Sequence, residues 1–319
     1  MRAIAIERFG DTPKLTELPV PEPGSGQIQV TIEAAATNPL DAAIASGSLA
    51  ALGEYRFPLT LGMDGAGVIT AVGDGVTQFR VGDRVFGQFW SQPLQFGTFA
   101  EVCVVQAAPA FGALAAIPDG LPSHEAAALP TAGMTAIGAI DHMEVPKGGT
   151  LLVIGATGGV GTFAVQVAAA GGIRVIATAS AQITEQVRGL GADEIVVRGA
   201  EPLDQALRRL APGGVDAVLD TVGDRSVMPG VAGAVRNSGM LLSTAFGLDE
   251  QRLADQRIRT ANYRLDRKPE RLAELARLVT AGAVRPVIGT NLALEEGPRA
   301  LAGGGKVTGL RGKTVLRMR

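Results

Sequence analysis

Apolar and polar residues alternate one by one in the first third of the chain. Ile28, Val30 and Ile32 alternate with polar neighbours, which is the period of a strand with one buried face. Ile4 and Ile6 show the same texture near the N-terminus. Turn signals rich in glycine, proline or aspartate separate these runs, at residues 21–24, 74–75, 81–83 and 118–120. Short strands separated by turns predict a closed or partly closed antiparallel barrel in the first 120 or so residues.

The pattern changes near Ser123, where a helix is predicted to start and to continue through an alanine-rich segment to about Asp141. From Thr150 onward, apolar runs alternate with helical patterns, one of which has its apolar face at Leu203, Ala206, Leu207 and Leu210. The predicted strands are 150–154, 174–179, 194–197, 215–220 and 239–244. Strands that alternate with helices in this way predict a parallel, doubly wound sheet.

One more helix is predicted in the last part of the chain, with Pro269 near its start and Gly282 just past its end. Two predicted strands follow, at residues 284–294 and 314–316. Apolar and polar residues alternate in these strands as they do in the N-terminal third. We therefore expect the C-terminus to fold back onto the first domain.

The segment 150–171 reads as a buried strand, a tight glycine turn and a helix. Glycines at 155, 158, 159 and 161 allow a sharp bend and leave room for a pyrophosphate, which the positive end of the helix attracts. A strand–turn–helix unit that binds no ligand is the alternative. A membrane span over the uncharged residues 148–173 is disfavoured, because eight glycines divide this stretch into two short apolar runs.

Composition narrows the class of protein. A length of 319 residues predicts two domains, and 46% hydrophobic with 19% charged residues is typical of a globular protein. A net charge of −2 argues against a nucleic-acid-binding surface. Cys103 is the only cysteine, which excludes an intrachain disulfide and a cysteine metal cluster. Glu7 interrupts the first apolar run too early for a signal peptide, so the expected location is the cytoplasm, with no membrane association.

Six motifs occur in the order found in a known family. They are NPLD at 38–41, LGMDGAGV at 61–68, VGDRVFG at 81–87, LP…TA at 129–136, ATGGVG at 156–161 and GVD…DTVG at 214–223. On these motifs nearly the whole chain resembles the zinc-independent, zeta-crystallin-like quinone oxidoreductases of the medium-chain dehydrogenase/reductase superfamily. The resemblance implies an α/β plus β fold, in which a GroES-like β-barrel catalytic domain contains an inserted Rossmann domain, and a homodimer or homotetramer.

The resemblance also implies domain limits. Residues 1–121 and 267–319 would form the catalytic domain, and residues 122–266 the nucleotide-binding domain.

Whether the chain can bind a catalytic zinc ion can be judged from the residues at the expected ligand positions. In the zinc-dependent relatives the ligands lie at positions that match Asn38, Met63 and, less clearly, Thr131, and none of these is a usual zinc ligand. Cys103, His124 and His142 belong to unrelated segments. We therefore expect no metal site.

The cofactor is predicted to be NADPH. NAD-binding folds place an acidic residue at the end of the second strand, but residues 177–183 contain none. The hydroxyls of Thr178 and Ser180 suit a 2′-phosphate instead. Members of the family often have a lysine slightly further on, where this chain has Ile183. Arg198 is a candidate replacement, because its position lines the adenine site in the family and a guanidinium pairs well with phosphate; a solvated surface arginine is the alternative.

Further cofactor contacts follow from the glycine turn and from the resemblance. The predicted set comprises Thr131, Thr135, Thr157, Gly158, Gly159, Val160, Val222, Thr244, Ala245 and Phe246. Asp64 and Asp83 are predicted to be structural, Asp64 by accepting backbone hydrogen bonds and Asp83 within a turn between strands.

The predicted reaction is hydride transfer to a quinone or an α,β-unsaturated carbonyl. Without a metal, adding hydride to carbon while charge spreads to a remote oxygen is easier than oxidising an alcohol, and hydrogen-bond donors or water can stabilise that oxygen. Asn38 is the candidate catalytic residue, because its amide can position the substrate or the nicotinamide; capping a loop before Pro39 is the alternative. Two other functions stay open: an enoyl-thioester reductase, and an NADPH-binding structural or interaction protein without turnover.

Overall fold

A computed structural model describes residues 1–249, 257–301 and 310–318. Its strands are β1 (Arg2–Ile6), β2 (Lys14–Glu17), β3 (Gln27–Ala36), β4 (Leu59–Thr60), β5 (Asp64–Val72), β6 (Arg84–Gln88), β7 (Val102–Gln106), β8 (Ala113–Ala116), β9 (Thr150–Ile154), β10 (Arg174–Ala179), β11 (Glu194–Val197), β12 (Val215–Asp220), β13 (Val235–Ser243), β14 (Arg259–Asn262), β15 (Ile288–Ala293) and β16 (Lys313–Arg317). Its helices are α1 (Pro39–Ala45), α2 (Ser123–Ala127), α3 (Pro130–Met143), α4 (Gly159–Ala170), α5 (Thr184–Arg188), α6 (Leu203–Leu210), α7 (Met228–Gly233), α8 (Pro269–Thr280) and α9 (Gly297–Leu301).

The middle of the chain forms a parallel sheet in the order β11-β10-β9-β12-β13-β14. This is the dinucleotide-binding strand order 3-2-1-4-5-6. All strands are parallel, and the sequence in which they are added reverses between β9 and β12. The predicted bounds of β9, β10, β11 and β12 are confirmed. β13 begins earlier than predicted, and β14 was not predicted from its short, half-exposed sequence.

The two faces of the central strand β9 explain its uninterrupted apolar sequence. Leu151 and Val153 pack with the helices on one side of the sheet, and Leu152 and Ile154 belong to the apolar cluster on the other. A strand in a parallel sheet is buried on both faces, so it lacks the alternation seen in the first third of the chain.

Both ends of the chain build the β-rich part. A seven-stranded sheet has the order β15-β16-β3-β5-β6-β8, with β7 also paired to β3, and a second sheet has the order β2-β1-β4. β16 pairs antiparallel with β3, so that Val315 lies opposite Ala36. The prediction that the C-terminus folds back onto the first domain is therefore confirmed.

The helix predicted over residues 123–141 is two helices, α2 and α3. Pro130 is the first residue of α3, where its missing N–H costs no hydrogen bond, and it ends the preceding helix. Gly133 of α3 packs against Leu275 of α8, which begins at Pro269 as predicted. No helix in the described ranges is long and apolar enough to cross a membrane.

Candidate active site

The glycine turn lies between β9 and α4, at the point where the strand order of the parallel sheet reverses. Its glycines have different roles. Gly155 has φ of +84°, a backbone conformation that favours glycine, so this glycine allows the sharp bend. A Cβ on Gly161 would lie 2.2 Å from the carbonyl oxygen of Gly155, so this glycine allows close packing of turn and helix. A Cβ on Gly158 would meet no atom nearer than 3.6 Å. The space beside Gly158 is open, as a site for a ligand at a helix N-terminus requires.

Neighbouring segments hold the turn in place. Thr178, on the adjacent strand β10, accepts a hydrogen bond at Oγ1 from the backbone N–H of Gly155 at 3.1 Å. On the other side, the backbone N–H of Gly312 donates to the carbonyl oxygen of Thr157 at 3.0 Å, and Gly312 forms a bridge with Gly158. The C-terminal strand therefore reaches the nucleotide-binding turn directly. Thr178 is buried and its hydroxyl supports the turn.

Ser180 and Arg198, two of the three predicted 2′-phosphate ligands, follow the carboxyl ends of the adjacent strands β10 and β11. The backbone N–H of Arg198 donates to the carbonyl oxygen of Ala179 at 2.8 Å, which places Arg198 beside Ser180. Arg198 is exposed and Ser180 is partly exposed. No acidic residue occurs between 177 and 183. A hydroxyl and a guanidinium therefore lie on adjacent segments at this end of the sheet, and their binding to a 2′-phosphate stays a prediction.

Buried Asp220 shapes the loops that follow β12 and β13. Its Oδ1 accepts hydrogen bonds from the backbone N–H groups of Val222 and Gly223, at 2.9 and 3.1 Å. Its Oδ2 accepts the hydroxyl of Ser243 at 2.6 Å. Val222 and Phe246 are consequently presented to solvent at the carboxyl edge of the sheet, with 57% and 47% of their surfaces exposed. Thr244 and Ala245 belong to the same edge, where open parallel sheets bind ligands.

Three buried residues, Asn38, Asp64 and Lys313, and the half-buried Thr131 form a polar group that we call the junction cluster. Asn38 donates from Nδ2 to Asp64 at 2.9 Å. Thr131 donates its backbone N–H and its hydroxyl to the same carboxylate, at 3.1 and 2.6 Å. Lys313 Nζ donates to Asn38 Oδ1 at 2.5 Å and lies 3.7 Å from Asp64. The prediction that Asp64 accepts a backbone hydrogen bond is confirmed.

Local sequence places each member of the cluster. Asn38 precedes Pro39 at the start of α1, and its backbone N–H donates to Asp41 at 2.6 Å. Thr131 follows Pro130 in the first turn of α3. Asp64 and Lys313 are the first residues of β5 and β16. Helix starts and strand starts from both domains therefore meet at one point.

Burial governs the charges of this region. It raises the pKa of Asp64, while the nearby ammonium of Lys313 opposes that shift. It lowers the pKa of Lys313, and the carboxylates of Asp64 and Asp41 oppose that shift in turn. Burial also raises the pKa of Asp41 to about 7. Asp41 Oδ1 has no hydrogen-bond partner in the described part of the chain, so this oxygen is free to carry a proton.

The other predicted residues near the cluster have defined partners. Thr135 donates its hydroxyl to the carbonyl oxygen of Thr131 at 2.6 Å, one helical turn earlier. Gln88, which the sequence did not single out, donates from Nε2 to Thr131 Oγ1 at 2.6 Å. Asn38 keeps a second Nδ2 hydrogen, whose nearest acceptor is the carbonyl oxygen of Ala36 at the long distance of 3.5 Å. The catalytic role of Asn38 stays a prediction.

Lys313 is the main member that sequence reasoning missed. A lysine at the start of an exposed strand is normally solvated, but only 4% of Lys313 is exposed. Its partner Asn38 lies 275 positions earlier in the chain, so no local pattern reveals the contact. The one available signal was a cation directly after Gly312, two residues before the apolar pair Val315 and Leu316.

The three positions that the family resemblance matches to zinc ligands, Asn38, Met63 and less clearly Thr131, make other contacts here. Asn38 and Thr131 bind Asp64, and the side chain of Met63 is buried in the apolar core of the β-rich part. Within the described ranges, no three His, Cys, Asp or Glu residues lie close enough together to hold a metal ion. Cys103 is buried, and burial raises the pKa of its thiol.

Comparison with known proteins identifies two matching domain families. Residues 24–119 match the family described as the alcohol dehydrogenase GroES-like domain, and residues 159–267 match the family described as zinc-binding dehydrogenase. The mouse (Mus musculus) mitochondrial NAD(P)H oxidoreductase RTN4IP1 is 33% identical over 332 residues, which cover 91% of this chain and 81% of the mouse protein. A Streptomyces venezuelae pikromycin polyketide synthase component is 37% identical over 223 residues, covering 68% of this chain but only 6% of the synthase.

Solved structures extend the likeness to the whole chain. The quinone oxidoreductase from Coxiella burnetii superposes with a TM-score of 0.86 at 28% identity, covering 100% of this chain and 99% of that one. A mycobacterial protein solved in complex with NADPH superposes with a TM-score of 0.82 at 27% identity, covering 99% of both chains. The chain therefore belongs to the medium-chain dehydrogenase/reductase superfamily, in its quinone-oxidoreductase-like branch, and is an oxidoreductase.

Proposed function

We propose that the protein is a zinc-independent reductase that uses NADPH to reduce a quinone or an α,β-unsaturated carbonyl. The observation that carries this proposal is the junction cluster. A buried ammonium, from Lys313, is hydrogen-bonded to Asn38 and lies 3.7 Å from Asp64, where related enzymes arrange ligands around a metal. The site thus contains a cationic side chain of its own. Asn38, Asp64 and Thr131 are hydrogen-bonded within the cluster.

The residues of the nucleotide-binding part fit a dinucleotide phosphate. The open space beside Gly158, together with Thr157, Gly159 and Val160 at the start of α4, suits the pyrophosphate. Ser180 and Arg198 suit the 2′-phosphate, and the buried hydroxyl of Thr178 holds the turn. The edge formed by Val222, Thr244, Ala245 and Phe246 suits the nicotinamide half. Thr131 and Thr135, on α3, are the other contacts that we propose for it. When bound, NADPH supplies a hydride.

The chain's own residues orient the acceptor and stabilise charge. A hydride gained by the β-carbon of an enone moves an electron pair to the carbonyl oxygen, and a proton from water then completes the saturated ketone. We propose that the second Nδ2 hydrogen of Asn38 positions the acceptor or the nicotinamide at this step. Its first hydrogen is held by Asp64, and its oxygen is held by Lys313, so the amide plane is fixed. Fixed donors of this kind lower the barrier because they need no reorganisation.

A second candidate is reduction of an enoyl thioester in a biosynthetic pathway. The match to a polyketide synthase component favours it, at 37% identity over 223 residues. The chemistry is the same addition of hydride to a conjugated double bond, and the two candidates differ only in the group attached to the carbonyl. A protein that binds NADPH without turnover, in a structural or interaction role, is the third candidate.

We further propose that the domains divide at residues 121/122 and 266/267, and that the protein is a homodimer or homotetramer located in the cytoplasm. Light scattering coupled to size exclusion tests the assembly, and a monomer would contradict it.

The deciding experiment follows NADPH oxidation with a panel of simple quinones, enones and enoyl thioesters. We expect turnover of quinones or enones. Turnover confined to thioesters would establish the second candidate. Tight binding of NADPH with no oxidation by any acceptor would establish the third.

A further inference from the structure

Within the described ranges, the side chain of Arg267 is a partly buried cation that forms no ion pair. Its guanidinium lies over the ring of Trp90, 5.0 Å from the centroid. Its Nε atom is buried and has no hydrogen-bond partner in the described part of the chain. The neighbouring carboxylate of Asp266 is engaged with Arg271 at 2.6 Å. A guanidinium that is partly shielded from water and forms no ion pair with the described residues is available to an anion from outside the chain.

Two further polar atoms in the same region lack partners. The indole Nε1 of Trp90 and the Oε1 of Gln88 are buried and unpaired in the described ranges. Gln88 lies opposite Asp64 in the sheet and contacts Thr131, so this region adjoins the junction cluster. The charge of Asp64 also raises the pKa of Arg267, against the stronger lowering effect of burial. Buried polar groups are almost always hydrogen-bonded, so three unpaired ones in one region indicate a ligand site.

The backbone gives independent support. Arg267 has φ of +24°, which is unusual for a residue other than glycine. It lies two residues before the start of α8 at Pro269, and its guanidinium lies over Trp90, which belongs to the core of the β-rich part. Strained backbone at a cleft is commonly retained where it positions a functional side chain.

We propose that Arg267 is a specificity-determining residue that binds an anionic group of the acceptor, most simply a carboxylate. The planar guanidinium, which lies over Trp90, can offer two parallel N–H groups to a carboxylate. The preferred acceptor would then carry its reducible double bond near Asn38 and its carboxylate at Arg267. This inference rests on the proposed function, whose acceptor class it narrows.

A phosphate of the cofactor is the other possible source of an anion. The residues suited to the 2′-phosphate are Ser180 and Arg198 on β10 and β11, and those suited to the pyrophosphate surround Gly158. Arg267 instead contacts Trp90 beyond the end of β6, in the other domain. The acceptor is therefore the favoured source, and the kinetics below distinguish the two.

The test compares an enone that carries a carboxylate, 4-oxo-2-pentenoate, with its methyl ester. We expect the parent to prefer the carboxylate by about tenfold or more in kcat/KM, the effect of one charged hydrogen-bonded pair. Arg267→Gln should abolish this preference and leave the ester within about twofold, with KM for NADPH unchanged. Arg267→Lys should restore part of the preference. Equal loss with both acceptors, no preference in the parent, or a change confined to KM for NADPH would overturn the proposal.

Arg264→Gln is the matched control. Arg264 lies in the same segment and also over an aromatic ring, 5.3 Å from the centroid of Phe246, but it is exposed. We expect this variant to keep the ratio of carboxylate to ester turnover. Loss of the ratio in both variants would indicate a general effect of the segment and would overturn the assignment to Arg267.

A binding measurement keeps the inference testable if neither enone is reduced, and so separates it from the proposed function. Trp90 is the only tryptophan, so its fluorescence reports on this site alone. Titration with 4-oxopentanoate, which lacks the reducible double bond, should give a saturable change in the parent and none with its methyl ester. Arg267→Gln should lose the response while melting within a few degrees of the parent. No response in the parent would overturn the proposal.

Discussion

Lys313 Nζ donates a hydrogen bond to Asn38 Oδ1 at 2.5 Å and another to the carbonyl oxygen of Thr37 at 2.8 Å. This contact ties the last strand of the chain to the first helix. The preceding residue, Gly312, bonds the glycine turn, so one short segment connects the acceptor side and the nucleotide side of the cleft. The orientation of Asn38 therefore depends on a residue at the other end of the sequence.

Removing the buried ammonium should destabilise the protein. Lys313→Met removes the ammonium that lies beside the buried carboxylates of Asp64 and Asp41. Breaking a buried pair in this way costs about 3–5 kcal/mol. Urea unfolding measures the loss. Lys268→Met is the control, because Lys268 is 63% exposed and its contact with Asp266 at 3.5 Å is a surface ion pair. A loss below about 1 kcal/mol for Lys313→Met, or an equal loss in the control, would contradict the role given to Lys313.

Asp41 should make stability depend on pH. Burial raises its pKa to about 7 in the folded state, above the value of about 4 for an unfolded aspartate. Its stabilising contribution is complete below pH 4 and is lost as pH rises to 7, by up to about 1.4 kcal/mol per unit. Asp41→Asn, which keeps an acceptor for the N–H of Asn38, should remove this fall. Unfolding free energies measured from pH 5 to pH 8 would contradict the shift if parent and variant ran parallel.

Gly158 and Gly161 should respond differently to added side chains. Gly158→Val extends into open space, since its Cβ meets nothing within 3.6 Å, so the fold should survive while KM for NADPH rises strongly. The expected loss is a few kcal/mol of binding, the scale of several hydrogen bonds to phosphate. Gly161→Ala places a Cβ 2.2 Å from the carbonyl oxygen of Gly155 and should lower the melting temperature instead.

Melting with and without NADPH separates these two effects. A Gly158→Val protein that melts far below the parent yet binds NADPH normally when folded would show that this glycine is structural.

The protein should bind NADPH more tightly than NADH. Arg198→Gln should raise KM for NADPH about tenfold or more and leave that for NADH unchanged, because a hydrogen bond to a charged group contributes about 1.5–3 kcal/mol. Ser180→Asp should weaken NADPH selectively through charge repulsion. Arg277→Gln, an exposed arginine on α8, is the control. Equal or tighter binding of NADH by the parent in a fluorescence titration would refute the prediction.

Local patterns predicted four strands of the parallel sheet well, because β9, β10, β11 and β12 each contain a run of apolar residues. Four strands were predicted with the bounds that the structure shows, and Pro269 and Gly282 marked α8. β14 was missed because Arg259–Asn262 contains no apolar run and lies at the sheet edge. The break before Pro130 was missed because alanine-rich sequence continues across it.

The candidate site could be predicted only in part, for a physical reason. The glycine turn and the acid-free end of β10 are local features that the sequence displays directly. Lys313 and Arg267 acquire their roles from burial against residues far away in the chain, Asn38 and Trp90. From its sequence neighbours alone, each is expected to be an ordinary surface cation. Only the fold shows that Lys313 is buried and that Arg267 is partly buried.

The central claim, reduction by NADPH without zinc, is tested most directly by turnover of metal-free protein. After extended chelation and elemental analysis, NADPH oxidation is measured with the best quinone or enone of the acceptor panel, before and after zinc is added. The account predicts that chelated protein with under about 0.1 zinc per chain keeps the full rate and gains nothing from zinc, because Asn38, Met63 and Thr131 stand at the positions of the ligands. Activity that falls with zinc content and returns when zinc is added would contradict it.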